Sequence, residues 1–189
     1  MTREGEAVVV LPMRAPERVA AHLVVHHAVW LDRQVARMRA TRVRLDARPP
    51  LAAGRSVVVC GSPRVLIAVD DAARHTLERS LRAEARRVLV ARVSALAPVV
   101  GVVPTRVTVR AQRARWGSAS RAGAISLNWR LILAPPDVLD YVVVHELAHL
   151  SRPGHGRAFW ALVRRHAPQA DGARRWLRAH HAELMATLD

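Results

Sequence analysis

Apolar residues recur three or four positions apart over most of this chain, so the pattern predicts helices as the dominant element. A short apolar run at residues 6–11 reads as a strand ended by Pro12. Pro16 then opens a helical pattern to about Arg39, with Val19, Leu23, His26, His27, Trp30, Leu31, Val35 and Met38 on one side. After Pro49 and Pro50, residues 56–60 and 64–69 flank Gly61-Ser62-Pro63 and read as a small hairpin. From Asp71 to about Leu96 a stripe of Leu77, Leu81, Ala85, Val88, Leu89, Val93 and Leu96 predicts a long helix that ends before Pro98.

The period then changes. Val107 and Val109 alternate with polar neighbours as in a half-buried strand, and Ile125, Leu127 and Trp129 do the same after the turn residues Arg121-Ala122-Gly123. That second strand is expected to run on toward Pro135 and Pro136. A helix follows from 136 to about 150, because proline suits the first helical position and Asp137 and Asp140 favour its positive end. Pro153-Gly154 breaks it, and two further helices are predicted over 157–166 and 171–188. The mixture is that of an α+β fold, with an N-terminal strand, helix and hairpin region over 1–70 and a core over 71–189.

A chain of 189 residues, 51% apolar and 24% charged, has the balance of one globular domain with a hydrophobic core. Lys and Arg total 30 against 15 acidic residues, and the rows contain no lysine, so the net charge of +15 is arginine alone. The arginines are scattered from Arg3 to Arg178 without a stripe, a pattern of biased composition more than of a nucleic-acid surface. Weak binding of nucleic acid or nucleotides through them is expected at low salt. Cys60 is the single cysteine, which excludes an internal disulfide and a thiol-based zinc knuckle and fits a reducing compartment. The residues before Pro12 lack the pattern of a signal peptide or anchor, and no segment reaches membrane-spanning length, so a cytoplasmic location without membrane contact is expected.

The chemistry concentrates on the helix predicted at 136–150. His145-Glu146-Leu147-Ala148-His149 places two imidazoles one turn apart on one face. Zinc takes nitrogen ligands in a tetrahedral shell, and a catalytic zinc has three protein ligands with one position open. His155, just beyond the Pro153-Gly154 turn, is the candidate third ligand; Glu183 is the rival, placed near the C-terminal end. The pattern assigns His145, His149 and His155 to Zn2+ and Glu146 to general-base catalysis. Zinc would acidify a water and polarise a carbonyl while Glu146 accepts the water proton and passes it to the leaving amine. The histidine spacing equals that of the metzincins, but Arg152 stands where their turn glycine belongs, and Met185 is the sole downstream methionine.

Other residues receive plainer expectations. Tyr141, one turn before His145, is read as packing, with a role in orienting a ligand as the alternative. Trp116, Trp129, Phe159 and Trp160 are expected in the core. Arg113, Arg115 and Arg130 are read as solvated, with capture of a substrate anion as the alternative. His22 and His26 also stand four apart but have no third ligand nearby, and His75, His166, His180 and His181 are expected to be solvated or to carry no chemistry.

The segments Arg110-Ala111-Gln112-Arg113-Ala114-Arg115-Trp116-Gly117-Ser118, Ile125 to Leu131, Ala134-Pro135-Pro136 and Tyr141 to His149, closing with His155 and Phe159-Trp160, resemble the YgjP-like metallopeptidase family over about residues 72–180. The resemblance implies a compact zincin-like domain, a small antiparallel or mixed sheet packed on an active-site helix, in which an edge strand pairs with an extended peptide. It implies zinc at His145, His149 and His155 and Glu146 as base. The family usually has a cysteine two residues after its Trp-Gly pair; Ala119 stands there, so no role of that thiol transfers. The family also tends to begin with an additional basic strand pair, and this chain starts at the equivalent of a later part.

Three functions follow as alternatives: a zinc metallopeptidase acting on peptide or protein substrates, a metal-dependent nucleoside triphosphate pyrophosphatase, and an arginine-rich nucleic-acid-binding module with structural zinc. The first is preferred. A structural zinc is normally closed by four ligands, whereas three converge here; no Gly-rich loop with a lysine is present, which excludes a P-loop and leaves arginines to hold phosphates in the second reading.

Overall fold

Pro16, extended at φ −70° and ψ 144°, opens the first helix, α1 (Glu17–His26). The computed structural model describes Val8 and residues 10–188, and it divides the chain into two units, 1–48 and 49–189. The strand expected over 6–11 falls in part outside the described residues; Val8, Val10 and Leu11 lie in no strand. The helix expected from Pro16 to Arg39 is two helices. His27, at φ −106° and ψ 13°, breaks the pattern, and α2 (Ala28–Asp46) runs seven residues further than the apolar stripe suggested. Neither helix buries a residue.

The second unit opens with a hairpin, β1 (Arg55–Val59) and β2 (Ser62–Leu66), antiparallel with Val59 opposite Ser62. Its turn is Cys60-Gly61, both at positive φ, and not Gly61-Ser62-Pro63, because two left-handed residues match the twist of the strands. The hairpin, which sequence grouped with the N-terminal region, lies in this unit. The Cys60 amide donates to the Ile132 carbonyl at 2.7 Å, and the buried Arg55 guanidinium donates to the Thr187 carbonyl at 2.8 Å and the Pro49 carbonyl at 3.0 Å.

Helix α3 (Asp71–Val100) is capped by Asp70, whose carboxylate accepts the Ala73 amide at 2.7 Å. Leu81, Ala85, Leu89, Val93 and Ala97 are its buried stripe, four residues apart, and each large member contributes about 1.5–3 kcal/mol by leaving water. The helix passes through Pro98 to Gly101, at φ 78°, instead of ending before the proline. Pro98 lies in the last turn, where the bond it forfeits is to the carbonyl of exposed Ser94, and burial of Ala97 and Val100 holds that turn.

A three-stranded sheet follows in the order β3-β5-β4. β3 (Arg106–Arg110) is parallel to β5 (Ala124–Asn128), and β4 (Gly117–Ala119) is antiparallel to β5 with Gly117 opposite Leu127 and Ala119 opposite Ile125. The mixed sheet agrees with the expected α+β class. The strand expected to continue through Trp129 stops at Asn128, whose side chain accepts the Arg130 amide at 3.1 Å and caps a 3-10 turn over Trp129–Leu133. Helix α4 (Pro136–Ser151) is buried along most of its surface, because α3, the sheet, α5 (Arg157–His166) and α6 (Ala170–Met185) all pack on it. Arg92 of α3 and Asp140 of α4 join the two helices by a paired ionic contact. No helix among the described residues is long and apolar enough to cross a membrane.

Candidate metal centre

Two features of α4 place polar groups in an apolar layer. Val142, Val143, Val144, Leu147 and Ala148 are buried, and between them His145 and His149 face one side. His155 reaches the same point from the segment between α4 and α5. Gly154, at φ 83°, makes the left-handed turn that brings it back, a conformation a side-chain-bearing residue would hold only under strain. The Nε2 atoms of His149 and His155 lie 3.3 and 3.4 Å from that of His145, and the ligand atoms of all three lie within 4.8 Å of one another. Among the described residues this is the one cluster of three or more side chains able to hold a metal ion.

The aromatic residues explain how the cluster is held. Phe159, buried, stacks on His149 with ring centroids 4.4 Å apart and meets His145 and His155 edge-on at 5.0 and 4.9 Å. Trp160 is half-buried beside His145 and His155, with the Arg174 guanidinium 4.5 Å from its ring. Trp129 is buried and Trp116 half-buried. Tyr141 is buried, as a packing residue would be, but its hydroxyl also lies 3.4 Å from His145 Nδ1, on the side away from the cluster. That contact orients the ring so that Nε2 faces the other histidines.

Burial, with the neighbouring His149 and His155 adding to it, lowers the His145 pKa to about 4; burial and His155 also lower that of His149. At neutral pH these imidazoles are therefore unprotonated and keep a lone pair for a metal. Glu146 is 6% exposed, and its burial raises the carboxyl to about 7, where a carboxylate takes up and releases a proton near neutral pH. Burial also raises the Tyr141 hydroxyl to about 12, so it stays a neutral hydrogen-bonding group.

Glu146 leans on β4. A Cβ built on Gly117 would stand 2.6 Å from both Glu146 Cγ and Oε1, closer than real atoms approach, so only glycine leaves room for this carboxylate. Asn128, fully buried, holds the approach to that strand: its amide donates to the Gln112 carbonyl at 2.6 Å and the Arg115 carbonyl at 3.0 Å, and its backbone amide to the Trp116 carbonyl at 2.8 Å. Both residues lie within the sequence motifs, which assign them no role. The one signal the sequence offers is that Gly117 is a glycine, the residue that permits close approach to a backbone.

The centre opens into a cleft of about 510 Å³, bounded on one side by β4 and the turn after it and on the other by the three histidines, Leu150 and Pro153. Arg113, Arg115 and Arg130 do not line it; Arg130 instead lies over the Trp129 ring at 4.7 Å. Glu183 is not part of the cluster. His180 and His181, expected to be solvated, are half-buried: His180 stacks on Trp176 at 4.1 Å, and His181 meets Trp116 edge-on at 5.4 Å with its pKa lowered by burial. The aromatic neighbours on and beside α6 cover positions that the arginine-rich sequence suggested were wet.

The sequence profile of the YgjP-like metallopeptidase domain matches residues 67–180, which contain α3 to α5, the sheet and the whole centre. The chain belongs to the YgjP-like metallopeptidase family. Membership implies a metal, and in this YgjP-like chain the three-histidine cluster is where the residues can hold one. Among solved structures, the chain is similar to the crystal structure of the metallopeptidase zymogen of Pyrococcus abyssi abylysin, with 21% identity over 48% of this chain and 93% of that one and a TM-score of 0.43. No curated protein matches the chain.

Proposed function

We propose that this YgjP-like protein is a zinc-dependent peptidase, with His145, His149 and His155 as the zinc ligands and Glu146 as the general base. The observation that carries the reading is the spacing of the three nitrogens. Corners of a tetrahedral shell with zinc–nitrogen bonds of about 2.0–2.1 Å stand about 3.4 Å apart. The separations of His149 and His155 Nε2 from His145 Nε2, 3.3 and 3.4 Å, match that edge, all three ligand atoms lie within 4.8 Å of one another, and imidazole nitrogens suit zinc. The site opens to the cleft on its remaining side, as a catalytic centre requires and a closed structural one does not.

Bound zinc supplies a Lewis acid that acidifies water and polarises a carbonyl. The other steps belong to the chain. An extended peptide pairs with the free edge of β4, which puts its backbone beside Gly117 and therefore beside Glu146. Glu146 Oε1, wedged against Gly117, accepts a proton from the attacking water and returns it to the departing amine. Tyr141 holds the His145 ring through Nδ1, and Phe159 keeps bulk water from the far side of the imidazoles. Along β4 the cleft is lined by the small residues Gly117, Ser118, Ala119 and Ser120, which suits a site that reads the peptide backbone.

Peptide hydrolysis measured before and after chelation tests the reading. Activity is expected to vanish with the metal and return on adding one equivalent of zinc; hydrolysis that persists in metal-free protein would contradict it.

A further inference from the structure

Beyond the histidines and Glu146, one charged side chain among the described residues lines the cleft, Arg121. Its backbone is firmly placed. The turn after β4 closes through the Gly123 amide, which donates to the Ser120 carbonyl at 3.0 Å, and the Ala124 amide, which donates to Ser120 Oγ at 3.1 Å. Thr105 braces the same turn from the other side, its hydroxyl donating to the Ala122 carbonyl at 2.8 Å and its amide to the Gly123 carbonyl at 2.9 Å. Two backbone and two side-chain bonds thus hold a turn whose exposed arginine faces the cleft.

Like many arginines of this chain, Arg121 has no carboxylate partner among the described residues; what sets it apart is its place on the cleft. Arg64 is matched by Glu84 and Arg92 by Asp140, whereas no carboxylate among the described residues pairs with Arg121. The cleft's one carboxylate is Glu146, which is buried at the opposite end of β4. An unneutralised guanidinium carried on a braced turn at the rim of a peptide cleft is a receptor for a planar anion, and its fork matches a carboxylate.

The register gives its distance from the chemistry. Gly117 touches Glu146, and pairing of Ser120 with Ala124 keeps the strand extended to Ser120. At about 3.3 Å per residue, Arg121 follows about 13 Å along the strand from Gly117. A peptide laid beside β4 has the same rise. Resting on the peptidase reading above, we propose that Arg121 is a specificity-determining residue that binds an Asp or Glu side chain of the substrate three or four residues from the bond cleaved.

The test uses zinc-loaded Glu146→Gln protein, which binds without turnover, and labelled peptides blocked at both ends, in which a single Asp is walked along a neutral sequence. Fluorescence anisotropy is expected to show about fivefold tighter binding when Asp occupies one or two adjacent positions, as an accessible arginine–carboxylate contact gives. Those positions should lie three or four residues from the cleavage point mapped with wild-type protein. The advantage should disappear with Arg121→Ala and pass to a Lys at the same position with Arg121→Glu. An equal gain at every position would be the general attraction of a +15 chain and would overturn the proposal. So would a gain that survives Arg121→Ala, a gain seen only with a free C-terminal carboxylate, or no peptide binding at all. Wild-type hydrolysis separates the two claims: cleavage indifferent to charge position defeats this inference alone, whereas binding with the stated preference but no cleavage defeats the peptidase reading.

Discussion

Glu146→Gln is expected to retain zinc at wild-type stoichiometry and to lose about a thousandfold or more in kcat, the middle of the range for removing a general base. Glutamine fills the same volume beside Gly117, so the layer between β4 and α4 stays packed. What it cannot do is accept a proton. The variant removes that proton exchange while leaving the histidines in place. Equal metal content in the two proteins, together with activity lost in one, assigns the proton step to Glu146. A fully active Glu146→Gln protein would refute the mechanism.

Gly117→Ala is the second large effect, and it acts through space. The added methyl would stand 2.6 Å from Glu146 Cγ and Oε1 and 2.8 Å from Cδ, so the carboxylate must move. It cannot move freely, because Glu146 is buried in a helix packed on several sides. The cost of such overpacking is about 1–3 kcal/mol of stability. The expected loss of activity is about a hundredfold, the consequence of displacing a catalytic group by about 1 Å. Zinc should be retained, since the atoms nearest the added methyl belong to Glu146 and not to a histidine. A thermal melt and a kinetic assay on the same preparation distinguish this from general unfolding; unchanged activity in Gly117→Ala would mean that the carboxylate position beside β4 does not matter.

These two residues also mark what of the candidate site is legible in the sequence and what is not. His145, Glu146 and His149 are legible because their relation is local: 3.6 residues per turn puts the histidines on one face whatever surrounds the helix. His155 is nearly as local, since Pro153-Gly154 signals the turn that returns it. Gly117 depends on a strand meeting a helix almost thirty residues later in the chain, which no periodicity records. β4 itself, Gly117-Ser118-Ala119, has no apolar alternation and so gave no strand signal.

The mistaken boundaries have the same origin. Pro98 reads as a stop, but the stripe through Ala97 and Val100 is buried strongly enough to carry the helix past it. Trp129 continues the alternation of Ile125 and Leu127, yet Asn128 diverts the chain into a 3-10 turn with a side-chain bond the pattern does not encode. The arginines show it most clearly. Arg113, Arg115 and Arg130 lie near the predicted sheet edge and so offer themselves as the alternative anion site, whereas among the described residues the arginine that lines the cleft is Arg121, placed there by the turn braced at Thr105.

The most direct test of the central claim is the zinc content of protein purified without chelators, measured by elemental analysis for the wild type and His155→Ala. About one zinc per chain in the wild type and none retained in the variant is the predicted result, because two imidazoles without the third hold zinc far less tightly. No zinc in the wild type even after reconstitution, or a His155→Ala protein that keeps its metal in full, would contradict the three-histidine centre.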